Sequence, residues 1–98
     1  MYLVRDILRC KPGQSKALAE KFKAGIPLMK GISGFKGARI LVDYVAEYWT
    51  VVLEMEVEDL ADFERQMKEY AAHAEVREVM NGYMDLVEGG RREIFAIL

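Results

Sequence analysis

The sequence contains one cysteine, one histidine, one tryptophan and two prolines among its 98 residues. A lone cysteine, Cys10, can form no intrachain disulfide and cannot build a thiolate metal site. No apolar run approaches the ~18 residues that a helix needs to span a bilayer. The chain opens directly on strand-like residues, so neither a spanning helix nor a signal peptide is expected. Charge of neither sign is in excess: 14 Lys and Arg against 16 Asp and Glu leave a formal net charge of −2. That balance gives no basic footprint for nucleic acid or an anionic membrane. Metal-ligand spacings, phosphate-cradling loops and nucleophile motifs are absent, as are repeats, linkers and low-complexity segments. The expectation is one cytoplasmic domain over residues 1–98, with no cofactor, no metal, and no nucleic-acid or membrane partner.

What the chain does have is alternation. From Ala38 every second residue is apolar: Ala38, Ile40, Val42, Tyr44. After a break at 45–46 the pattern resumes with the other parity, as Trp49, Val51, Leu53, Met55 and Val57. Period-2 patterning in β-branched and aromatic residues signals strands with two unlike faces. A connection at 45–46 or 44–47 pairs 42 with 49, 40 with 51 and 38 with 53, placing both apolar rows on one face of a hairpin. No Gly, Asn or Pro marks that turn.

Residues 1–10 read as a first strand, with Tyr2, Val4, Leu8 and Cys10 on one side and Asp6 interrupting the apolar row. Lys11-Pro12-Gly13 is punctuation. A first helix follows, carrying Leu18, Phe22, Gly25 or Ile26, and Met29 at helical spacing. Pro27 removes a backbone donor and predicts a break near 25–26. Asp59 is an N-cap candidate for a second helix, with Glu58 and Asp62 where the helix dipole favours negative charge. Its stripe of Leu60, Phe63, Met67, Tyr70, Ala71 and Ala74 spans roughly 100° of the wheel. Val76, Val79 and Met80 lie off the stripe, which predicts a bend or restart near 74–75. Asn81-Gly82 closes the helix. Residues 83–87 read as a short extended segment, Gly89-Gly90 as a turn, and 91–98 as the last strand.

The order strand, helix, strand, strand, helix, strand leads to an α+β, ferredoxin-like βαββαβ fold, a four-stranded antiparallel sheet with two helices on one face. The helices are expected to cover Val4, Leu8, Ile40, Val42, Val51, Leu53, Met55, Ile94 and Ala96. Nothing in the chain is left to cover the other face. There Leu3, Ile7, Leu41, Tyr48, Thr50, Val52, Phe95 and Ile97 are interspersed with Arg5, Arg39, Glu54, Glu56 and Glu93. Such a face exceeds the apolar patch that monomers typically show. Stacking two sheets into a homodimer is the simplest solution, with Leu3, Arg5, Arg39, Leu41, Tyr48, Thr50, Val52, Glu54 and Phe95 in the interface. A partly solvated amphipathic sheet is the alternative.

Several short motifs follow one another in a particular order: Lys11-Pro12-Gly13, Ile32-Ser33-Gly34-Phe35, Asp59-Leu60-Ala61-Asp62-Phe63, Ala71-Ala72-His73 and Gly90-Arg91-Arg92-Glu93-Ile94. On these the chain resembles, over its whole length, the dimeric α/β-barrel superfamily, and within it the antibiotic-biosynthesis-monooxygenase-like and NIPSNAP-like small proteins. The resemblance implies two ferredoxin-like subunits packed sheet against sheet, each with a pocket between its sheet and helices. It also implies a range of activities, from cofactor-independent monooxygenases of polycyclic aromatic phenols to haem-degrading enzymes. The latter use an Asn on strand one, a Trp on helix two and a His further along helix two. The corresponding positions here are Asp6, then Gln66 or Met67, and His73, so the aromatic that shapes haem chemistry is missing.

Asp6 sits on a strand that is central in this fold, where a buried carboxylate needs a partner or a function. It is a candidate general base or substrate hydrogen-bond acceptor, or else is satisfied locally by a group such as a Tyr hydroxyl, or belongs to a different strand register. His73 is a candidate acid–base group or haem ligand, or else a charge-paired helix residue between Glu69 and Arg77. Tyr2, Phe22, Tyr44, Trp49, Met67 and Tyr70 can line a pocket for a small aromatic molecule, or simply be core. Three functions follow: a cofactor-independent monooxygenase-like enzyme using Asp6 and His73, a non-catalytic ligand-binding or structural dimer, and haem binding through His73.

Overall fold

β1 (Tyr2–Cys10) joins the sheet together. In a computed structural model describing residues 1–98, it pairs antiparallel with β3 (Thr50–Val57) on one side and β4 (Val87–Ala96) on the other. β2 (Ala38–Val42) lies outside β3, giving the order β2-β3-β1-β4. Three helices pack on one face: α1 (Ser15–Gly25), α2 (Leu60–Ala72) and α3 (Ala74–Val79). The α+β ferredoxin-like sheet forms as expected, with three helices because the second is divided.

Each helix boundary has a local cause. α1 gives way to a 3₁₀ turn over Ile26–Met29 where Pro27 withholds its donor. The Asp59 carboxylate accepts the Asp62 N–H at 2.7 Å and so caps α2. At His73 the backbone turns extended (φ −76°, ψ 122°), and the His73 Nδ1 accepts the Glu75 N–H at 3.2 Å, capping α3. Gly82 (φ 81°) takes the left-handed conformation just beyond α3. The core has two centres. Val4, Met29, Met55, Val57 and Phe63 form one, and Cys10, Leu18, Phe22 and Val51 the other. Burial, with a smaller contribution from Asp43, pushes the Cys10 thiol up, which suits an inert core residue.

The hairpin differs from its expected register. Val42 pairs with Val51, Ile40 with Leu53 and Ala38 with Met55, two residues along from the pairing read off the sequence. A slip of two keeps every side chain on its face, so the pattern could not distinguish the two registers. The observed one sets Arg39 opposite Glu54, to which its Nε donates at 2.7 Å. It also leaves a wider loop, tied by the Asp43 carboxylate accepting the Thr50 N–H at 2.9 Å. Trp49 falls in this loop with φ 61°, not in β3 as its parity suggested.

Gly89-Gly90 is no turn. β4 runs straight through both glycines to Val87, with a register shift opposite Arg9 and Cys10. The glycines are needed for close approach: a Cβ on Gly90 would lie 2.4 Å from the Ile7 carbonyl oxygen. Residues 83–86, expected to be extended, form a 3₁₀ turn instead. Helix cover is also narrower than expected. Val42 stays 57% exposed and Ile94 42%, because the helices sit over β1 and β3 and leave the edge strands partly bare.

Gly90→Ala should therefore cost about 2–3 kcal/mol, since backbone rather than a flexible side chain must move. Gly89→Ala, whose Cβ would meet only the end of the Arg9 side chain at 3.1 Å, should cost less than about 1 kcal/mol. Urea midpoints of the two variants measure the difference. Equal costs would contradict a close β1–β4 approach at Gly90.

Candidate ligand-binding cleft

The break at His73 has a consequence for the helix face of the sheet. α3 continues on a different heading from α2, so Val76 and Met80, off the α2 stripe, become one wall of a cleft. Leu8 of β1 and Leu53 of β3 contribute from the sheet, Phe22 from α1, and Tyr70 and Ala71 from the end of α2. The cleft holds about 730 Å³ and is mostly apolar, within the range of small-molecule sites.

Its polar groups are few. Arg92 on β4 faces Asp6 on β1, its Nε donating to Oδ1 at 2.5 Å and Nη2 to Oδ2 at 3.1 Å. The same guanidinium lies 5.0 Å from the centre of the Phe63 ring, a cation–π distance. This fork-on-carboxylate bonding raises the Arg92 pKa against the opposing effect of desolvation. Desolvation, by contrast, raises the Tyr70 phenol above its ordinary range. Its hydroxyl occupies the room left by Gly25, where a Cβ would come within 2.2 Å. Arg77 and, at the edge, Arg91 complete the charged lining, and Arg77 is held by its Nη1, which donates to the carbonyls of Ala71 (3.3 Å) and Ala72 (3.0 Å).

Of the residues singled out from sequence, the cleft brings together Asp6, Phe22 and Tyr70. Tyr2 and Met67 pack on the Val4–Phe63 core centre. Tyr44 is 99% exposed, and Trp49 is 41% exposed in the β2–β3 loop, so neither joins Asp6. His73 is exposed and outside the cleft lining, its Nδ1 engaged as a cap. Sequence reading missed Arg92 and Arg77. The first was within reach, because the row Ala96, Ile94 extended backwards by two places Arg92 on the helix face beside Asp6.

The opposite face carries a second charge cluster. Glu54, 2% exposed, accepts from Arg5 Nε at 3.0 Å and from Arg39 through both Nε and Nη2. The Arg39 bond above all, and then that of Arg5, hold its carboxyl below the usual carboxylate range against the cost of burial. A second concavity of about 620 Å³ opens beside it, where Lys36, Arg39, Glu54 and Glu56 alternate with Leu3, Met55 and Ile97. No group of His, Cys, Asp or Glu is arranged to hold a metal ion, and no helix is long and apolar enough to cross a membrane.

Neither a family model nor a curated relative matches the sequence. Solved structures do match it. A NIPSNAP family protein of unknown function from Agrobacterium tumefaciens superposes with a TM-score of 0.83 at 18% identity, over 97% of this chain and 86% of that one. An uncharacterised NIPSNAP domain protein from Burkholderia xenovorans gives 0.82 at 12% identity, over 100% and 95%. A candidate antibiotic biosynthesis monooxygenase from Chloroflexus aurantiacus gives 0.75 at 13% identity, over 99% and 92%. The fold is that of the NIPSNAP and antibiotic-biosynthesis-monooxygenase-like proteins. Identities this low carry the fold and no activity. Within this NIPSNAP-like fold, the chemistry has to be read from the cleft itself.

Two expectations follow from the geometry. Glu54, with its lowered pKa, stabilises the fold above the unfolded-state value of 4.5 and stops doing so as pH falls through the lowered folded-state value. Glu54→Gln should thus cost about 1 kcal/mol at neutral pH, with the gap to wild type closing in acid below 4.5. Denaturant titrations at several pH values measure it, and a gap that widens in acid would contradict the arrangement. Gly25→Ala should leave the fold intact, since Gly25 has ordinary helical dihedrals (φ −80°, ψ −33°). It should also drive the Tyr70 hydroxyl into the cleft, lowering the affinity of any cleft ligand by about tenfold.

Proposed function

We propose that this protein is a homodimer that binds a small, largely apolar organic molecule, aromatic in the best-fitting case, in the cleft between its sheet and helices. The observation that carries the reading is the cleft: hydrophobic walls around one carboxylate–guanidinium pair and the Arg77 guanidinium. Apolar side chains can take a ring system while a few fixed polar groups orient it.

The dimer rests on the other sheet face. Cross-strand register lines up Arg39, Glu54, Arg5 and Glu93 in a stripe of alternating sign across β2, β3, β1 and β4. Leu41, Val52 and Ile7 flank it on one side, Leu3 and Phe95 on the other. Arg5 lies 5.6 Å from the Phe95 ring centre. Charges already paired within the face lower the cost of burying it, and a stripe of alternating sign is complementary to a second copy.

A catalytic version of the same reading, oxygen insertion into a polycyclic phenol without a cofactor, is favoured by the fold shared with the candidate antibiotic biosynthesis monooxygenase. The local geometry favours binding instead. Asp6 is gripped by Arg92 and His73 stands outside the cleft, so the polar groups suit orienting a ligand better than taking a proton from it.

The neutral fluorophore N-phenyl-1-naphthylamine should bind once per chain in wild type, and Ala71→Trp, which adds bulk at the exposed rim, should weaken it by about tenfold. No saturable binding would sink the cleft reading. Sedimentation at micromolar concentration should give twice the chain mass, and Val52→Glu should give a folded monomer. Oxygen uptake with a polycyclic phenol, lost in Asp6→Ala with the dimer intact, would establish the catalytic version. A Soret shift on haem titration that disappears in His73→Ala would instead support haem binding.

A further inference from the structure

The cleft's charges do not cancel. Asp6 and Arg92 neutralise each other through two hydrogen bonds. Arg91, at the cleft edge, donates to Glu93 on its own strand at 3.1 Å. Arg77 has no carboxylate within ion-pair distance, and its bonds to protein run only from Nη1 to two main-chain carbonyls. Those carbonyls are the last acceptors of α2, so the helix break that opens the cleft also anchors the arginine at its wall. A guanidinium offers five N–H donors in a fixed fork. With Nη1 anchored, Nε and Nη2 remain, the pair that Arg92 uses on the carboxylate of Asp6. The excess of positive charge is local, because the chain as a whole carries −2.

On these grounds, and resting on the cleft being the ligand site, we infer that the ligand is an amphipathic organic anion: an apolar or aromatic body with a single carboxylate-type acid group, the acid received by Arg77. The body lies against Leu8, Leu53, Phe22, Val76 and Met80, and the acid group reaches the Arg77 end. A neutral ligand of the same shape displaces water from Arg77 without replacing its hydrogen bonds, and a cationic one is repelled. The planar two-oxygen acid matches the fork of the guanidinium. Arg77 is therefore the specificity-determining residue for charge, and the hydrophobic wall determines shape alone.

The test separates charge from shape. N-phenyl-1-naphthylamine occupies the cleft as a neutral reporter, and two nearly isosteric competitors displace it: 2-naphthoate, which is anionic, and 2-naphthalenemethanol, which is neutral. In wild type the naphthoate should displace the reporter at a concentration about tenfold lower than the alcohol. Arg77→Gln should erase that preference by lowering the potency of the naphthoate about tenfold, with the reporter still binding saturably. Arg77→Lys, which keeps the charge, should retain at least part of it and covers the case in which Gln at this position loosens the end of α2. Rising salt should narrow the wild-type preference. Equal potency of the two competitors, or a preference that survives Arg77→Gln, overturns the inference and leaves the cleft reading standing. Failure of the neutral reporter to bind removes the cleft reading, and the inference with it.

Discussion

A charge set into the middle strand of a sheet must be met by a partner on a neighbouring strand, and β1 carries two such charges in succession. Arg5 and Asp6 point to opposite faces. Arg5 meets Glu54 directly across on β3, and Asp6 meets Arg92 directly across on β4. Apolar alternation alone tolerates a slip of two residues without moving any side chain to the wrong face. These ion pairs do not: shifting β4 by two would set Asp6 opposite Gly90 or Ile94 and leave a carboxylate and a guanidinium without partners. With their arginines partly open to solvent, pairs of this kind contribute modestly to stability. Their larger effect is to select one register from several that hydrophobic patterning leaves nearly equivalent.

The same logic explains the hairpin. Glu54 is shared by Arg5 and Arg39, so the β2–β3 register depends on the β3–β1 register through a single carboxylate. The sheet is thereby fixed as a set, and the three strands agree on where their charged row lies. Close approach at Gly90 adds a steric element on the fourth strand, where little else covers the edge.

Much of this architecture was legible because its causes are local. Pro27 ends α1, Asp59 starts α2, and the change of stripe after Tyr70 signals the restart that occurs at His73. The misreadings share a different character. Trp49 has the parity of a β3 residue, yet Asp43 and Glu47 hold the preceding loop wide through Thr50, and the backbone at Trp49 turns left-handed. Gly89-Gly90 looks like a turn, because the backbone that requires glycine there belongs to β1, some eighty positions earlier. The cleft was only half legible for the same reason. Asp6 stood out as a break in an apolar row, but its partner lies 86 residues away in sequence. Arg77 gave no signal at all, since a charged residue on a short helix reads as ordinary surface until the end of α2 is known to anchor it.

Site and uncovered face are linked through β1. Its even-numbered residues, Asp6 and Leu8, reach the cleft, and its odd-numbered ones, Leu3, Arg5 and Ile7, belong to the open face. A strand cannot shift on one face and stay still on the other. Burying the open face against a second copy would therefore also stiffen the strand that carries Asp6 and Leu8, reducing the ordering that a ligand must impose when it binds. A small domain with a narrow helical layer has little core to spare for rigidity. In that setting the second subunit would supply what the cleft lacks, a fixed floor, without contributing any residue to it.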